Sequence, residues 1–553
     1  MLLSGAQIVM EELLAHGVDT VFGYPGGAAL DLYDALYEYR DRICSILTAH
    51  EQGASHAADG YARSSGKTGV VFATSGPGAT NLVTGIATAW MDSTPLVAIT
   101  ANVASHLIGR DAFQEIYITG ITMPITKHNF QVSDAAEISD ALRDAFRIAN
   151  SGRKGPVLID ITKDATIAKA EYEHRKPLDL PKPLFIDADK ARTVASLIDE
   201  SKRPLFYCGG GVIASGATPW VRKIAAMADI PVCHSMMGAG VMPYDDPLNL
   251  GMIGMHGTVA ANRAAEDCDL LIASGVRFPD RVALSPKKFA PNATIVHIDA
   301  DRSELNKNVK VDVALRCDVQ VALEEISDLI HENSHPEWRE TLQAWKGDCA
   351  RDCPDGNGLD PCALIHKISE LSGPDTIYVT DVGQHQMWAA QYVHHNEPQH
   401  FITSGGLGTM GFGYGAAIGA QFANPGKRVV HLTGDGSFHM NFNEGCTAAK
   451  YKLPIITVLF NNRVLGMVYQ WQTQFYGCRY SATEPERLTD FPKLAEALGV
   501  KGYAASSLEE FEACFKEALK ADGPVWIDCA IDRRMRVLPM IPGGGTVKDM
   551  ITE

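Results

Sequence analysis

Arg428-Val429-Val430-His431-Leu432-Thr433-Gly434-Asp435-Gly436-Ser437, followed later by Pro454-Ile455-Ile456-Thr457-Val458-Leu459-Phe460-Asn461-Asn462, decides how this chain is read. The two apolar, β-branched runs have the pattern of buried strands, and Asn443 to Tyr451 between them has the pattern of a helix. A strand-helix-strand unit of this length makes parallel strands whose carboxyl ends lie side by side, where open α/β sheets bind ligands. Asp435 and Asn462 then occupy adjacent strand tips. Mg²⁺ takes a few protein oxygens plus phosphate oxygens in an octahedron at roughly 2.1 Å. Asp435, Asn462 and one main-chain carbonyl, that of Val464, would suffice, and such a cation would clamp a diphosphate. Two ordinary turns would account for a lone Gly-Asp-Gly; the Asn-Asn at this spacing favours the cation.

The rest of the chain sets bounds. With 553 residues it is too long for one core, and three domains are expected. A hydrophobic content of 46%, a charged content of 21% and a net charge of −17 describe a soluble protein and disfavour nucleic acid or anionic membrane as a partner. Anionic substrates must be drawn by local cations. No segment approaches the ~18 uninterrupted apolar residues of a membrane span. Met1 to Gly5 runs into an amphipathic helix carrying Glu11 and Glu12, so a cytoplasmic protein is expected. The 12 cysteines are scattered, without the density of a disulfide scaffold. Cys349, Cys353 and Cys362 cluster in a polar stretch with no matching His or Cys pair, which argues against zinc.

Strand patterns such as Thr68–Ala73, Pro95–Thr100 and Gly155–Asp160 alternate with helical ones over residues 1–165, predicting a parallel α/β domain. Residues 166–190 include the charged, proline-rich Glu171 to Leu184 and read as a linker. Residues 191–335 form a central domain. There Pro204–Cys208 leads to Gly209-Gly210-Gly211, and Ala293–Ile298 to Asp299-Ala300-Asp301, resembling the strand ends of a nucleotide-binding sheet. A second linker is expected at 336–361, a third α/β domain at 362–530 around the Gly434 motif, and a tail at 531–553. The fold class is therefore α/β, with three consecutive parallel-sheet domains.

Gly434 to Asn462 resembles the thiamine-diphosphate motif of ThDP-dependent enzymes. That resemblance requires a carboxylate at the pyrimidine N1′. Glu51 suits it, in Thr48-Ala49-His50-Glu51-Gln52-Gly53-Ala54 before Ala58-Asp59-Gly60-Tyr61-Ala62-Arg63, a segment similar to the family's activating-glutamate segment. A glutamate in a helix first turn is otherwise explained by the helix dipole alone. Asp381-Val382-Gly383-Gln384-His385-Gln386 would meet the diphosphate, with Gly436, Ser437 and Met467 also in the pocket. In Ser404 to Gly411, the resemblance gives the Gly408 carbonyl to the pyrimidine N4′ and makes Met410 the wedge between the two rings.

Tyr24 to Ala28, Ala73 to Leu82, Gly109 to Glu115, Ile125 to Asn129, Leu465 to Trp471 and Val537 to Pro542 narrow the likeness to the acetohydroxyacid synthase catalytic subunits, over essentially the whole chain. The resemblance implies pyrimidine-binding, central FAD-binding and diphosphate-binding domains, with ThDP, Mg²⁺ and FAD as cofactors. It implies a homodimer or dimer of dimers with the active site between two subunits, a tail over that site, and a possible separate regulatory small subunit. The reaction implied is decarboxylation of pyruvate and ligation of the two-carbon unit to a second 2-oxoacid, pyruvate or 2-oxobutyrate, the entry to branched-chain amino acid synthesis. Arg281 would bind the acceptor carboxylate, as a guanidinium fork suits it; otherwise it is a surface arginine paired with Asp280. Trp471 would favour an ethyl over a methyl group on the acceptor. Gln114 and Lys163 resemble the family's positions at the mouth of the site. For FAD the likeness points to Arg153, Gly209, Gly210, Gly211, His256, Gly257, Thr258, Arg277, Asp299 and Asp318.

The chain departs from the family pattern at Asn102, Ala104 and His106, at Thr162, Pro279 and Tyr469, and at Tyr414-Gly415. Two other readings are a related ThDP-dependent carboligase or oxidase with another acceptor, and a non-catalytic cofactor-binding paralogue. Trp471 and Arg281 argue against the first, and the presence of Glu51, Asp435 and Asn462 against the second.

Overall fold

The computed structural model describes residues 1–347 and 358–553, so Cys349 and Cys353 of the cysteine cluster lie outside the described residues. Among the described residues the strands form three six-stranded sheets and one two-stranded pair. Every pairing in the six-stranded sheets is parallel. The first runs in space Cys44–Leu47, Thr20–Gly23, Gly69–Ala73, Leu96–Asn102, Pro156–Thr162, His128–Val132. The third runs Phe401–Ile402, Ile377–Thr380, Val429–Gly434, Ile456–Asn461, Val525–Ala530, Lys501–Ala505. Numbered along the chain within each sheet, both have the order 2-1-3-4-6-5. The central sheet instead has the doubly wound order 3-2-1-4-5-6, which places a ligand crevice between its first and fourth strands, Pro204–Cys208 and Leu270–Ser274. Leu96–Asn102 and Pro156–Thr162 are buried along their whole length, because helices cover both faces and leave no room for polar alternation.

Three elements differ from the sequence expectation. The linker expected at 336–361 holds the helix Pro336–Gly347, whose Trp338 and Leu342 pack into the core of the central domain. Before the N-terminal helix Gly5–Ala15, Leu2–Ser4 forms a strand antiparallel to Lys169–Glu171, and Ser4 with Gln7 makes a capping box that starts the helix. Asn443 to Tyr451 is not one helix but a 3₁₀ turn, Phe442–Glu444, followed by the short helix Gly445–Lys450. The turn is locked by Glu444, whose buried carboxylate accepts from the Ala49 and His50 main-chain N–H groups and the Thr447 hydroxyl. Among the described residues no helix is long and apolar enough to cross a membrane.

Helices Glu51–Ser65 and Phe412–Ala423 join the first and third sheets almost backbone to backbone, because small residues line the seam. A Cβ on Gly419 would lie 1.8 Å from the Ala57 carbonyl oxygen, and one on Gly60 2.1 Å from that of Ala416. Gly419→Ala should therefore cost at least the upper part of the ~1–3 kcal/mol usual for overpacking, since backbone, not a side chain, must yield. The expected readout is a lower urea midpoint at unchanged slope; an unchanged midpoint would show that the two helices stand further apart in solution.

Candidate active site

Gly434 pairs with Phe460, so the two strands leave the third sheet at one level and carry Asp435 and Asn462 out side by side. Asp435 opens the one-turn helix Asp435–Phe438 and is buried. Burial pushes its carboxyl up to about 6, against the pull of the Asp435, Gly436 and Asn462 main-chain N–H groups. A buried carboxylate held this way is relieved by a cation. Asn462 Oδ1 accepts from the Val464 N–H at 3.2 Å and keeps a second lone pair, while Nδ2 donates to Gln384 Oε1 at 3.1 Å. Gln384 Nε2 in turn donates to Gln470 Oε1 and to the Met535 carbonyl, both at 2.9 Å. Gly466 leaves room for this amide chain, since a Cβ there would lie 2.1 Å from Gln384 Oε1. Among the described residues no group of three or more His, Cys, Asp or Glu forms a metal site. A cation here would thus take the mixed set of one carboxylate, one amide and main-chain or phosphate oxygens that suits Mg²⁺.

The same corner fits a diphosphate. Helix Gln384–Tyr392 starts at the carboxyl end of Ile377–Thr380, at the switch point of the third sheet, with Gly383 as its N-cap. His385 packs its ring against Gly383 and Gly434, and its buried Nε2 has no partner within the chain. Burial pushes this imidazole down to about 4, so it is a neutral ring with one unspent nitrogen beside Asp435. Asp381, quoted with this segment, turns the other way: its carboxylate accepts from the Gly411 N–H at 2.7 Å and the Thr433 hydroxyl at 3.3 Å.

The loop Ser404 to Gly411 lies against that corner. Gly408 and Gly411 have φ of 70° and 87°, and the Gly411 N–H also donates to Ser437 Oγ at 3.3 Å. Met410 reaches its methyl to about 4.0 Å of where a Gly436 Cβ would stand. Gly408, Met410, Asp435, Gly436 and Ser437 are thereby brought together, while Met467 lines a separate cavity of about 560 Å³ with Trp471 and Gln472.

Glu51 begins helix Glu51–Ser65, is 8% exposed, and accepts from Asn81 Nδ2 at 3.0 Å. Its other oxygen lies 3.1 Å from where a Gly78 Cβ would be, so the carboxylate sits among residues of the first sheet's loops. Gln114 has φ of 60° and stacks its backbone on Gly76, held in a loop that Glu115 braces by accepting from the main chain of Gly109, Arg110 and Ala112. Lys163 donates to the Gly27 carbonyl at 3.3 Å, joining the Tyr24 to Ala28 loop.

Trp471 packs against the cluster of Met255, Leu538 and Met540, so the third sheet's helix Gly466–Phe475, the central domain and the tail meet at it. Its indole N–H is buried without a partner. Arg281 reaches the same place through its backbone, the carbonyl accepting from the Met255 N–H at 2.8 Å. Its side chain is 63% exposed and bonds Asp280 at 2.6 Å, the pairing of an ordinary surface arginine.

At the central switch point Gly209 and Gly211 abut Gly275, where a Cβ on either would strike main chain, and Gly210 opens the short helix Gly210–Ser215. Around the crevice stand Arg277, Arg153 and the half-buried Asp299, whose carboxyl desolvation pushes up to about 7. Burial, then the neighbouring Arg153, holds the Arg277 guanidinium below its usual range. Two facing cations with a carboxyl group below a glycine turn fit a dinucleotide such as FAD. His256 contributes a buried Nδ1 without a partner. Gly257 turns the chain, and Thr258 caps helix Val259–Asp267. Asp318 is spent differently, capping helix Val319–Ser327 through the Gln320 and Val321 N–H groups.

Several departures from the family pattern have local explanations. Tyr414 stacks on His431 and accepts from the Trp526 indole at 3.0 Å, while Gly415 lets the Gly53 carbonyl approach. Tyr469 stacks on Tyr480 with centroids 4.2 Å apart. Asn102 donates to Asp160 at 2.6 Å, and Pro279 accepts from Val282 and Ala283 in a tight turn. Nothing in the structure explains Ala104 or His106, and Thr162 is fully buried at the end of its strand.

Sequence reasoning named Asp59 and Arg63 in the Glu51 segment without giving them a role, and missed Asp92. Arg63 is buried, paired to both carboxylates, and donates to the Thr403 carbonyl at 2.7 Å. The available signal was an arginine four residues after an aspartate inside a helix otherwise rich in Ala and Gly.

Comparison with known proteins agrees along the chain. Residues 3–121 match the model for the thiamine pyrophosphate enzyme N-terminal TPP binding domain. Residues 191–326 match the central domain of these enzymes, and 381–529 the C-terminal TPP binding domain. A probable acetolactate synthase large subunit of Methanocaldococcus jannaschii is 45% identical over 99% of the chain and 95% of its own length. The acetolactate synthase large subunit of Porphyra purpurea is 44% identical over 99% and 95%. The acetolactate synthase isozyme 2 large subunit of Escherichia coli K12 is 43% identical over 99% of both.

Proposed function

The chain belongs to the acetolactate synthase large subunits of the thiamine pyrophosphate enzymes, and on that premise we propose how its residues divide the work. It decarboxylates pyruvate and joins the remaining two-carbon unit to a second 2-oxoacid, giving 2-acetolactate from pyruvate and 2-aceto-2-hydroxybutyrate from 2-oxobutyrate. Thiamine diphosphate, when bound, would supply the electron sink that the departure of CO₂ requires.

The observation that carries the assignment is the corner where Asp435, Asn462, the unpartnered His385 nitrogen and the Gln384 helix start converge on one point. Asp435, Asn462 and the Val464 carbonyl hold Mg²⁺, and His385 with the first-turn N–H groups meets the diphosphate. Glu51 holds the proton at the pyrimidine N1′, and the Gly408 carbonyl accepts from N4′. Met410 keeps the cofactor bent. Arg281 leaves Asp280 to take the acceptor carboxylate, Trp471 sizes the acceptor's alkyl group, and Gln114 and Lys163 order the entrance. Arg153 and Arg277 at the central crevice would hold FAD, as a structural cofactor, since the net reaction transfers no electrons.

The working unit is a homodimer or dimer of dimers, in which Glu51 serves the cofactor whose diphosphate the partner holds. Supporting this, Phe113, Tyr117 and Met123 beside Gln114 are 89%, 65% and 63% exposed, a patch suited to a second copy. A separate small subunit is a further partner.

Competition between pyruvate and 2-oxobutyrate tests the acceptor site. The wild-type protein should form both products and favour the mixed one. Trp471→Leu should reduce that preference by about 10-fold or more, since one methylene is worth ~1–3 kcal/mol. An unchanged product ratio would remove Trp471 from the acceptor pocket.

A further inference from the structure

We propose that Asp92 is a positioning residue that sets the Ser404 to Gly411 loop and couples it to the flavin crevice. The inference rests on the cofactor assignments above and adds a link between them. Asp92 ends helix Val83–Asp92, and its side chain is 0% exposed. One carboxylate oxygen accepts from the Gly406 N–H at 2.6 Å; the other accepts from the Gly405 N–H at 3.1 Å and from Arg63 at 2.9 Å. Two consecutive main-chain N–H groups on one carboxylate fix the direction in which the loop leaves Thr403. Arg63 adds a bond to the Thr403 carbonyl, and Thr88 meets the Thr409 hydroxyl at 2.8 Å, so the first domain grips the loop at three points. Gly408 and Met410 follow on the same loop.

The other side of Asp92 faces the central crevice. Its charge is one of those that draw on the Arg277 guanidinium. The next residue, Ser93, is in the left-handed conformation at φ of 61° and accepts from Arg153 Nε at 2.8 Å. Arg153 then reaches Glu304 at 3.2 Å and Asp301 at 3.6 Å across the crevice rim. A second contact runs in parallel through Met237. It lies 3.2 Å from where a Gly210 Cβ would stand, and its sulfur 2.4 Å from that of Gly405. An anionic dinucleotide between Arg153 and Arg277 therefore competes with Asp92 for the Arg277 charge and leaves that carboxylate to Arg63 and the two N–H groups. Flavin in the crevice should tighten the loop, and by linkage thiamine diphosphate should tighten flavin by the same factor.

The test is calorimetric titration of thiamine diphosphate with Mg²⁺ into the full-length protein, flavin-loaded and flavin-depleted. The loaded wild type should bind about tenfold more tightly, within the usual range of coupling. Asp92→Asn should keep both affinities measurable but lose the difference between them. If that variant fails to fold, Asp92→Glu retains the charge for Arg63 while its extra methylene moves the carboxylate off both N–H groups, and it should lose the difference likewise. Equal affinities in the two wild-type forms, or a full tenfold difference in a folded Asp92 variant, would overturn the coupling. A protein that binds no flavin or no thiamine diphosphate would overturn the cofactor assignments themselves.

Discussion

Glu51→Gln should lower kcat with pyruvate by about 10²–10⁴-fold, the range a positioned acid–base group supplies. Glutamine preserves the shape and the bond from Asn81 Nδ2 but can neither hold nor return a proton at N1′. The helix start should survive, because its N-cap is made by His50 toward the Gln52 N–H and its docking by Glu444, neither of which involves the Glu51 carboxylate. Binding of thiamine diphosphate and Mg²⁺, measured by titration, should change far less than turnover. That split separates a role in proton transfer from one in holding the fold. Wild-type turnover in the variant would remove Glu51 from the chemistry.

Asp435→Ala should abolish cofactor binding at ordinary concentrations. Loss of an outer-sphere partner already costs roughly 10–100-fold in metal affinity, and Asp435 is the sole carboxylate assigned to the cation. Its carboxylate draws on the Asp435, Gly436 and Asn462 main-chain N–H groups at the strand tips, above a strand that is itself buried, so the fold should persist. Asn462→Ala should weaken binding less, because it removes a neutral ligand, but it also frees Gln384 Oε1 and loosens the amide chain to Gln470 and Met535. Titration of Mg²⁺ at fixed thiamine diphosphate checks both. Unaltered affinity in Asp435→Ala would place the cation elsewhere.

What the sequence reveals here follows from range. The tips at Asp435 and Asn462 are local to one strand-helix-strand unit, and alternation of apolar runs with polar turns is enough to place them on adjacent strands. The parallel sheets are legible for the same reason, since buried runs such as Leu96–Asn102 admit no polar face. The break at Glu444 is not legible, because its cause lies about four hundred residues away at Ala49 and His50. Nor is the grip of Asp92 on Gly405 and Gly406, or the amide chain from Asn462 to the tail. Such contacts leave no periodic trace; an aspartate at the end of a helix looks the same whether it meets water or a glycine loop. Asp318 shows the converse, a carboxylate at the right place in the pattern that the fold uses as a helix cap.

The central claim is that this site breaks the carboxylate bond of one 2-oxoacid and forms a carbon–carbon bond to another. Its most direct test is product analysis of the purified protein with pyruvate, thiamine diphosphate, Mg²⁺ and FAD. The account predicts one CO₂ and one 2-acetolactate for every two pyruvates consumed; CO₂ accompanied only by acetaldehyde or acetate would contradict it.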